Sequence, residues 1–238
     1  MTPGFRQLLN RFAMIGFERQ IALQDFLGDD PDWKLSPKDG TATFNGDRTI
    51  PLQILGTRAT ESNTWLWAWA NKAAGLPAKT LEASKKAKQV GKKRSIGELE
   101  VDSLPLDNFD FDAHTLAMIA TAVADLPAYF RFPYSGGSLF AALDSPEIQL
   151  PPPDPERMAF VIEQVIDRFD VDHRTAFTAY TETRGAKCQA DRSGAVAQWP
   201  DGKTIAARFD EQGRIVELVL PGGKSRTIQA ETASQPSA

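Results

Sequence analysis

Apolar residues recur at helical spacing near the start of the chain, where Phe5, Leu8, Leu9, Phe12, Ile15, Ala22, Leu23 and Phe26 alternate with charges such as Arg11, Glu18 and Arg19. This period predicts an amphipathic helix over residues 5–27. Gly28, followed by Asp29, Asp30 and Pro31, supplies its stop. The pattern then shortens. Extended runs cover Trp33–Leu35, Thr41–Phe44 and Thr49–Gly56, separated by Pro37-Lys38-Asp39-Gly40 and Asn45-Gly46-Asp47, and turn residues at those places predict an antiparallel meander. In Thr64-Trp65-Leu66-Trp67-Ala68-Trp69-Ala70-Asn71 the tryptophans fall at every second position. On a strand they share one face, whereas on a helix they would spread over about 200°. A strand is therefore predicted.

Further along, residues 77–90 read as a short helix with Pro77 in its first turn and Gly91 at its end. A helix over 112–126 carries Ala113, Leu116, Ala117, Ala120, Val123 and Ala124 as its apolar stripe, with Asp112 as cap. Tyr129–Tyr134 and Leu139–Leu143, joined across Ser135-Gly136-Gly137-Ser138, read as a hairpin. Pro151-Pro152-Pro153-Asp154-Pro155 is the clearest boundary, since three prolines hold extended chain while Asp154 and Pro155 suit a helix start. The next helix places Met158, Val161, Ile162, Val165 and Phe169 on one face, a second spans 172–184 before Gly185, and a meander follows, with turns at Ser193-Gly194, Asp201-Gly202 and Gln212-Gly213. The fold class expected is α+β, with antiparallel β-meanders covered by helices in two packed halves. The halves are expected at residues 1–150 and 151–229, followed by a disordered tail over 230–238 that is rich in Ala, Thr, Ser and Pro.

Two stretches carry a resemblance. Ile54-Leu55-Gly56 leading to the tryptophan segment, and His114-Thr115-Leu116-Ala117 leading to Tyr129-Phe130-Arg131-Phe132-Pro133-Tyr134-Ser135-Gly136-Gly137, together resemble an uncharacterised bacterial family, a domain of unknown function, over about residues 5–145. The resemblance implies a soluble bacterial protein and brings with it no activity, ligand or catalytic residue.

Composition narrows the classes. Over 238 residues, 42% hydrophobic and 24% charged side chains are ordinary for a globular chain. Twenty-seven basic against thirty-one acidic residues leave a net charge of −4, which gives no global attraction to nucleic acid or anionic lipid. The charge is unevenly placed, however. Lys79 to Arg94 holds seven bases and one acid, and Glu98 to Asp112 holds six acids and no base. A solvated basic helix face beside an acidic loop is expected, with some contact between the two; the basic block lacks the interleaved aromatics of a nucleic-acid surface. Cys188 is the one cysteine, and no run of eighteen apolar residues occurs, so a cytoplasmic location without disulfide or membrane span is expected.

Motifs of known chemistry fail on spacing. Gly222-Gly223-Lys224-Ser225 lacks the earlier glycine of a phosphate loop, that position being Leu218. His114 and His173 are the only histidines and stand far apart in sequence, so no metal and no cofactor is expected. His173 falls on the stripe of Ala176, Phe177 and Tyr180, as a packed histidine would. No Gly-x-Ser-x-Gly elbow exists for a nucleophile. The tryptophan stripe remains: either a buried sheet face or the aromatic wall of a groove. The candidate binding residues are Trp65, Trp67, Trp69 and Asn71, with His114, Tyr129, Arg131 and Tyr134 as polar neighbours. The leading expectation is a non-catalytic binding or interaction protein acting through that groove on a protein or small molecule. The alternative is a small-molecule enzyme, a hydrolase for example, built from scattered residues such as His114, Arg131 and a carboxylate. Oligomeric state is not legible.

Overall fold

The computed structural model describes residues 1–228, so the tail expected over 230–238 lies outside the described residues. The chain divides into two compact units, one covering Met1–Pro151 and the other beginning at Pro152. Both are α+β. No helix among the described residues is long and apolar enough to cross a membrane.

The first unit opens with helix α1 (Pro3–Leu27), capped by the Thr2 hydroxyl, which accepts from Phe5 N at 3.3 Å. Strands β1 (Trp33–Ser36), β2 (Thr41–Phe44), β3 (Arg48–Ala59) and β4 (Thr64–Trp67) follow, then helices α2 (Glu82–Arg94) and α3 (Gly97–Glu100) and strand β5 (Ser103–Pro105). Helix α4 (Ala113–Ala124) and the hairpin β6 (Ala128–Tyr134) and β7 (Gly137–Leu143) complete the unit. The sheet runs β1-β2-β3-β4-β5, with β7 paired to β3 and β6 to β7, all antiparallel. Strand β3 is its spine, meeting β2 over residues 48–51, β7 over 52–59 and β4 over 56–59. One sheet face buries Phe44, Ile54, Phe132 and Leu143 against Leu23 and Leu27 of α1. The other carries α4, which packs on β3, β6 and β7.

Several elements differ from the sequence pattern, each for a local reason. Strand β3 continues past Gly56 to Ala59, and its register with β7 shifts between Ile54 and Gly56. That bulge leaves both Ile54 and Leu55 buried, which breaks the alternation on which the sequence reading relied. The helix expected over 77–90 lies instead at Glu82–Arg94, after a single 3₁₀ turn at Ala78–Thr80. Gly91 sits inside it, because a β-carbon there would come 2.8 Å from Leu99 Cβ. The glycine admits α3 and does not end the helix. Gln53 of β3 caps α2 from a distance, its Oε1 accepting from Glu82 N at 3.0 Å and Ala83 N at 3.4 Å, a contact with no sequence-local signal.

The tryptophan segment is a strand only as far as Trp67. The chain then turns, with Ala70 N and Asn71 N both donating to Trp67 O, at 3.0 and 3.2 Å. Trp65 and Trp67 are fully buried with ring centroids 5.2 Å apart, edge to face, and Trp65 also meets Phe140 at 5.4 Å. The Trp65 indole occupies the space above Gly56 on the neighbouring strand: a β-carbon there would lie 2.5 Å from its Cζ2 and 2.7 Å from Leu66 O. Trp67 donates its Nε1–H to the Glu98 carbonyl at 3.1 Å, and the Glu98 carboxylate accepts from Thr2 N and Thr2 Oγ1 at 2.5 and 2.6 Å. Strand, short helix and amino-terminal cap are thus joined through two side chains.

The second unit has helices α5 (Pro155–Arg168) and α6 (His173–Thr183), capped by Asp154 and Asp172, and strands β8 (Lys187–Ala190), β9 (Gly194–Gln198), β10 (Thr204–Phe209), β11 (Ile215–Val219) and β12 (Ser225–Thr227). The strands form one sequential antiparallel sheet. Alternation holds well here: Ala195, Ala197, Ile205, Ala207 and Leu218 are buried while Val196 and Arg208 face solvent. Arg226 of β12 ties the sheet edge to α5 through Glu156 at 2.5 Å and Glu163 at 3.2 Å. Gly222 and Gly223, at φ +79° and +76°, form the connection from β11 to β12, so the phosphate-loop-like sequence is a strand connection.

Two substitutions test the packing around the tryptophans. Gly56→Ala must displace an enclosed indole and a backbone carbonyl, and should cost about 1–3 kcal/mol. Trp67→Ala should cost about 3–5 kcal/mol through lost area and cavity. Denaturant midpoints measure both, and an unchanged midpoint for Gly56→Ala would show that the indole has room to move.

Candidate functional site

Directly paired residues of antiparallel strands share a face, and the register therefore assembles one surface from four strands. Trp65 is opposite Arg58, Gly56 opposite Trp67, Arg58 opposite Ser138, Arg131 opposite Phe140 and Tyr129 opposite Ala142. Toward β4 this surface is apolar and closed. Toward the β6–β7 turn it is polar, and Arg58, Arg131 and Ser138 stand there.

His114 is brought onto this polar end by the start of α4. The Asp112 carboxylate accepts from Thr115 N at 2.9 Å and from Thr115 Oγ1 at 3.1 Å, fixing the first turn. The imidazole lies edge-on to Phe140 at 5.1 Å, and its Nδ1 is 3.1 Å from the Tyr129 hydroxyl. Burial lowers the His114 pKa below the ordinary histidine value; Asp112 works against that shift, and Arg131 and Arg58 reinforce it. Burial, helped by Asp112, raises the Tyr129 pKa far above that of an ordinary phenol. At neutral pH the phenol thus keeps its proton, and a neutral imidazole nitrogen gives that buried proton an acceptor.

The two arginines are held in the same way. Arg131 Nε donates to Ser138 Oγ at 2.8 Å, and Arg58 Nε donates to Asn63 Oδ1 at 2.7 Å. Asn63 in turn donates through Nδ2 to Asp107 Oδ1. Each guanidinium is anchored through one nitrogen by a neutral oxygen, and neither forms an ion pair with a described residue. Their terminal nitrogens keep their donors and their charge.

Of the residues singled out from sequence, His114, Tyr129 and Arg131 come together here. Trp65 and Trp67 lie beneath the same face but are enclosed and present no surface to a ligand. Trp69 has left the strand and lies half-buried under Lys88, whose Nζ is 3.3 Å from the ring centroid. Asn71 caps a 3₁₀ turn, its Oδ1 accepting from Ala74 N at 3.2 Å. Tyr134 points by alternation to the opposite face of β6 from Arg131, and is 52% exposed beside Gly137. Arg58, Ser138 and Asn63 were not found from sequence. The available signal was parity: Arg58 stands two residues after Gly56, the glycine of the Ile54-Leu55-Gly56 run.

The remaining candidates are occupied structurally. His173 Nδ1 accepts from Ile215 N at 3.0 Å, joining the start of α6 to β11, and burial holds its pKa below the ordinary value. Cys188 Sγ lies 3.8 Å from Thr178 Oγ1. Among the described residues, no three His, Cys, Asp or Glu side chains gather as a metal site would require. Compared with families of known sequence, residues 6–146 match the model of a family of unknown function (DUF6882). Compared with curated proteins and with solved structures, the chain matches none.

The electrostatics of the site are open to NMR. His114 should titrate below about 6.5. Arg131→Gln should raise its pKa by removing a repelling cation, and Asp112→Asn should lower it further by removing the carboxylate that opposes the shift. Opposite signs in either variant would contradict the placement of these charges.

Proposed function

We propose that this chain, which belongs to that family of unknown function, is a binding protein that holds an anionic group at the polar end of its amino-terminal sheet. The supporting observation is the pair Arg58 and Arg131, each steered by a neutral side chain and left without an acidic partner among the described residues. A guanidinium paired internally spends its donors on the fold. One held through Nε alone keeps its terminal N–H groups for a carboxylate or phosphate, with part of the ordering cost already met. His114, held toward its neutral form, adds a ring N–H as a third donor, and a bound anion would favour its protonation.

The reading places recognition at the polar end of the face and not on an open aromatic groove, since Trp65 and Trp67 are enclosed. Binding is preferred over bond cleavage because the partner of His114 is the protonated Tyr129, while the Ser138 hydroxyl is buried and accepts from Arg131. A bacterial, cytoplasmic setting belongs to the same proposal; the single cysteine, which can form no intramolecular disulfide, is in keeping with a reducing compartment.

Calorimetric titration with inorganic phosphate and, separately, with succinate tests the reading and distinguishes the two acid classes. One of the two should bind saturably, and Arg58→Gln and Arg131→Gln should each weaken it by about tenfold or more, in line with roughly 1.5–3 kcal/mol for a charged hydrogen bond. Thermal unfolding of both variants should stay close to that of the parent. No saturable binding of either anion, or binding that survives the double variant, would overturn the proposal.

A further inference from the structure

The sequence suggests a basic helix face beside an acidic loop with some contact between the two, and α3 of the acidic segment does pack on α2, yet no ion pair joins the blocks among the described residues. Glu98 is buried and bound to Thr2, Asp107 bonds Asn63, Asp110 lies 4.0 Å from Arg6, and Asp112 caps α4. The cations of α2 have no carboxylate partner among the described residues, although Lys86 Nζ donates to Ala124 O at 3.2 Å. Lys85, Lys86, Lys92, Lys93 and Arg94 are exposed, and none forms an ion pair with a described residue. Lys88 alone has an aromatic partner, Trp69.

Helical spacing arranges these charges. Lys85 and Lys92, and likewise Lys86 and Lys93, stand seven residues apart, close to two turns, so they form two parallel rows along a helix of about 20 Å. Ala83, Ser84, Ala87 and Gly91 face inward on the other side. The result is a cationic face on a chain whose net charge is −4; Glu82 opens the same helix and Glu100 packs beside Gly91, but neither forms an ion pair with these cations.

We infer that this face of α2 is a docking surface for a short acidic segment of a partner protein. Charge complementarity selects a polyanion, and the rest of the chain selects its kind. A duplex or an anionic bilayer extends far beyond one helix and would meet the acid-rich remainder, whereas a short run of carboxylates meets the helix alone. The face offers no aromatic for base stacking, because Trp69 is already covered by Lys88. It also offers no apolar row to enter a bilayer. The surface is separate from Arg58 and Arg131 and stands whether or not they bind an anion.

The test is titration of the full chain with a short polyglutamate peptide, a single-stranded oligonucleotide of equal charge, and vesicles containing anionic lipid. Polyglutamate should bind most tightly, and its affinity should fall as salt is raised. Reversal of four lysines, Lys85→Glu, Lys86→Glu, Lys92→Glu and Lys93→Glu together, should weaken it by about tenfold or more while leaving the melting temperature and the anion titration at Arg58 and Arg131 unchanged. A milder variant, the same four lysines changed to Gln, gives the same readout if reversal impairs folding. Tighter binding of the oligonucleotide or the vesicles overturns the partner class. Absence of polyglutamate binding, or binding lost in the Arg58→Gln/Arg131→Gln double variant instead, overturns the surface.

Discussion

The indole of Trp65 can lie across β3 only because residue 56 has no side chain. Any β-carbon at that position would come within 2.5 Å of the indole and 2.7 Å of the Leu66 carbonyl oxygen. This close approach locks β4 to β3 at one register, and a slip by a single residue would turn every following side chain to the other face. Arg58, two positions beyond the glycine and directly opposite Trp65, is held on the α4 side by the same register. Trp67 extends the constraint through Glu98 to the amino-terminal cap of α1. The buried tryptophans therefore act on the polar end of the sheet without touching a ligand, by determining which face its cations occupy.

That polar end is built from compensated and uncompensated groups side by side. Asp112 spends its carboxylate on the first turn of α4, and Asp107 is engaged by Asn63. Tyr129 is buried and keeps its proton, and His114 is held toward its neutral form by burial and by two guanidiniums. Ser138 and Asn63 orient those guanidiniums without cancelling their charge. An arriving anion would meet donors that need little rearrangement and a histidine whose protonation it favours. The cost of gathering like charges is limited by solvent at the exposed edges of Arg131 and His114.

Local periodicity made much of the architecture legible. α1, the helix capped by Asp112, the β6–β7 hairpin and the strands at Thr41–Phe44 and Thr204–Phe209 all follow from apolar spacing and turn residues. The failures mark non-local constraints. Gly91 looked like a helix stop and instead admits α3; Gln53 caps a helix from another strand; the bulge at Leu55 hid the second half of β3. His114, Tyr129 and Arg131 were visible as polar residues in an aromatic-rich context. Arg58 was not, because its membership depends on a cross-strand register set by Trp65 and Gly56, residues that carry no chemistry of their own. The tryptophan stripe was conspicuous for the same reason that it is structural: three large rings at alternate positions announce a buried face, and the turn after Trp67 keeps the third from joining it.

The central claim is that an anion would bind beside His114 and the two arginines, which have no acidic partner among the described residues. Thermodynamic linkage makes this measurable on one proton: an anion that binds beside an imidazole stabilises its charged form, so the pKa of His114 must rise in the complex, and affinity must increase as pH falls through that range. The direct measurement is the His114 titration by NMR in the absence and presence of saturating phosphate or succinate, with His173 in the second unit as internal reference. The account predicts an upward shift confined to His114. An unchanged His114 pKa in the presence of either anion, or an equal shift at His173, would contradict it.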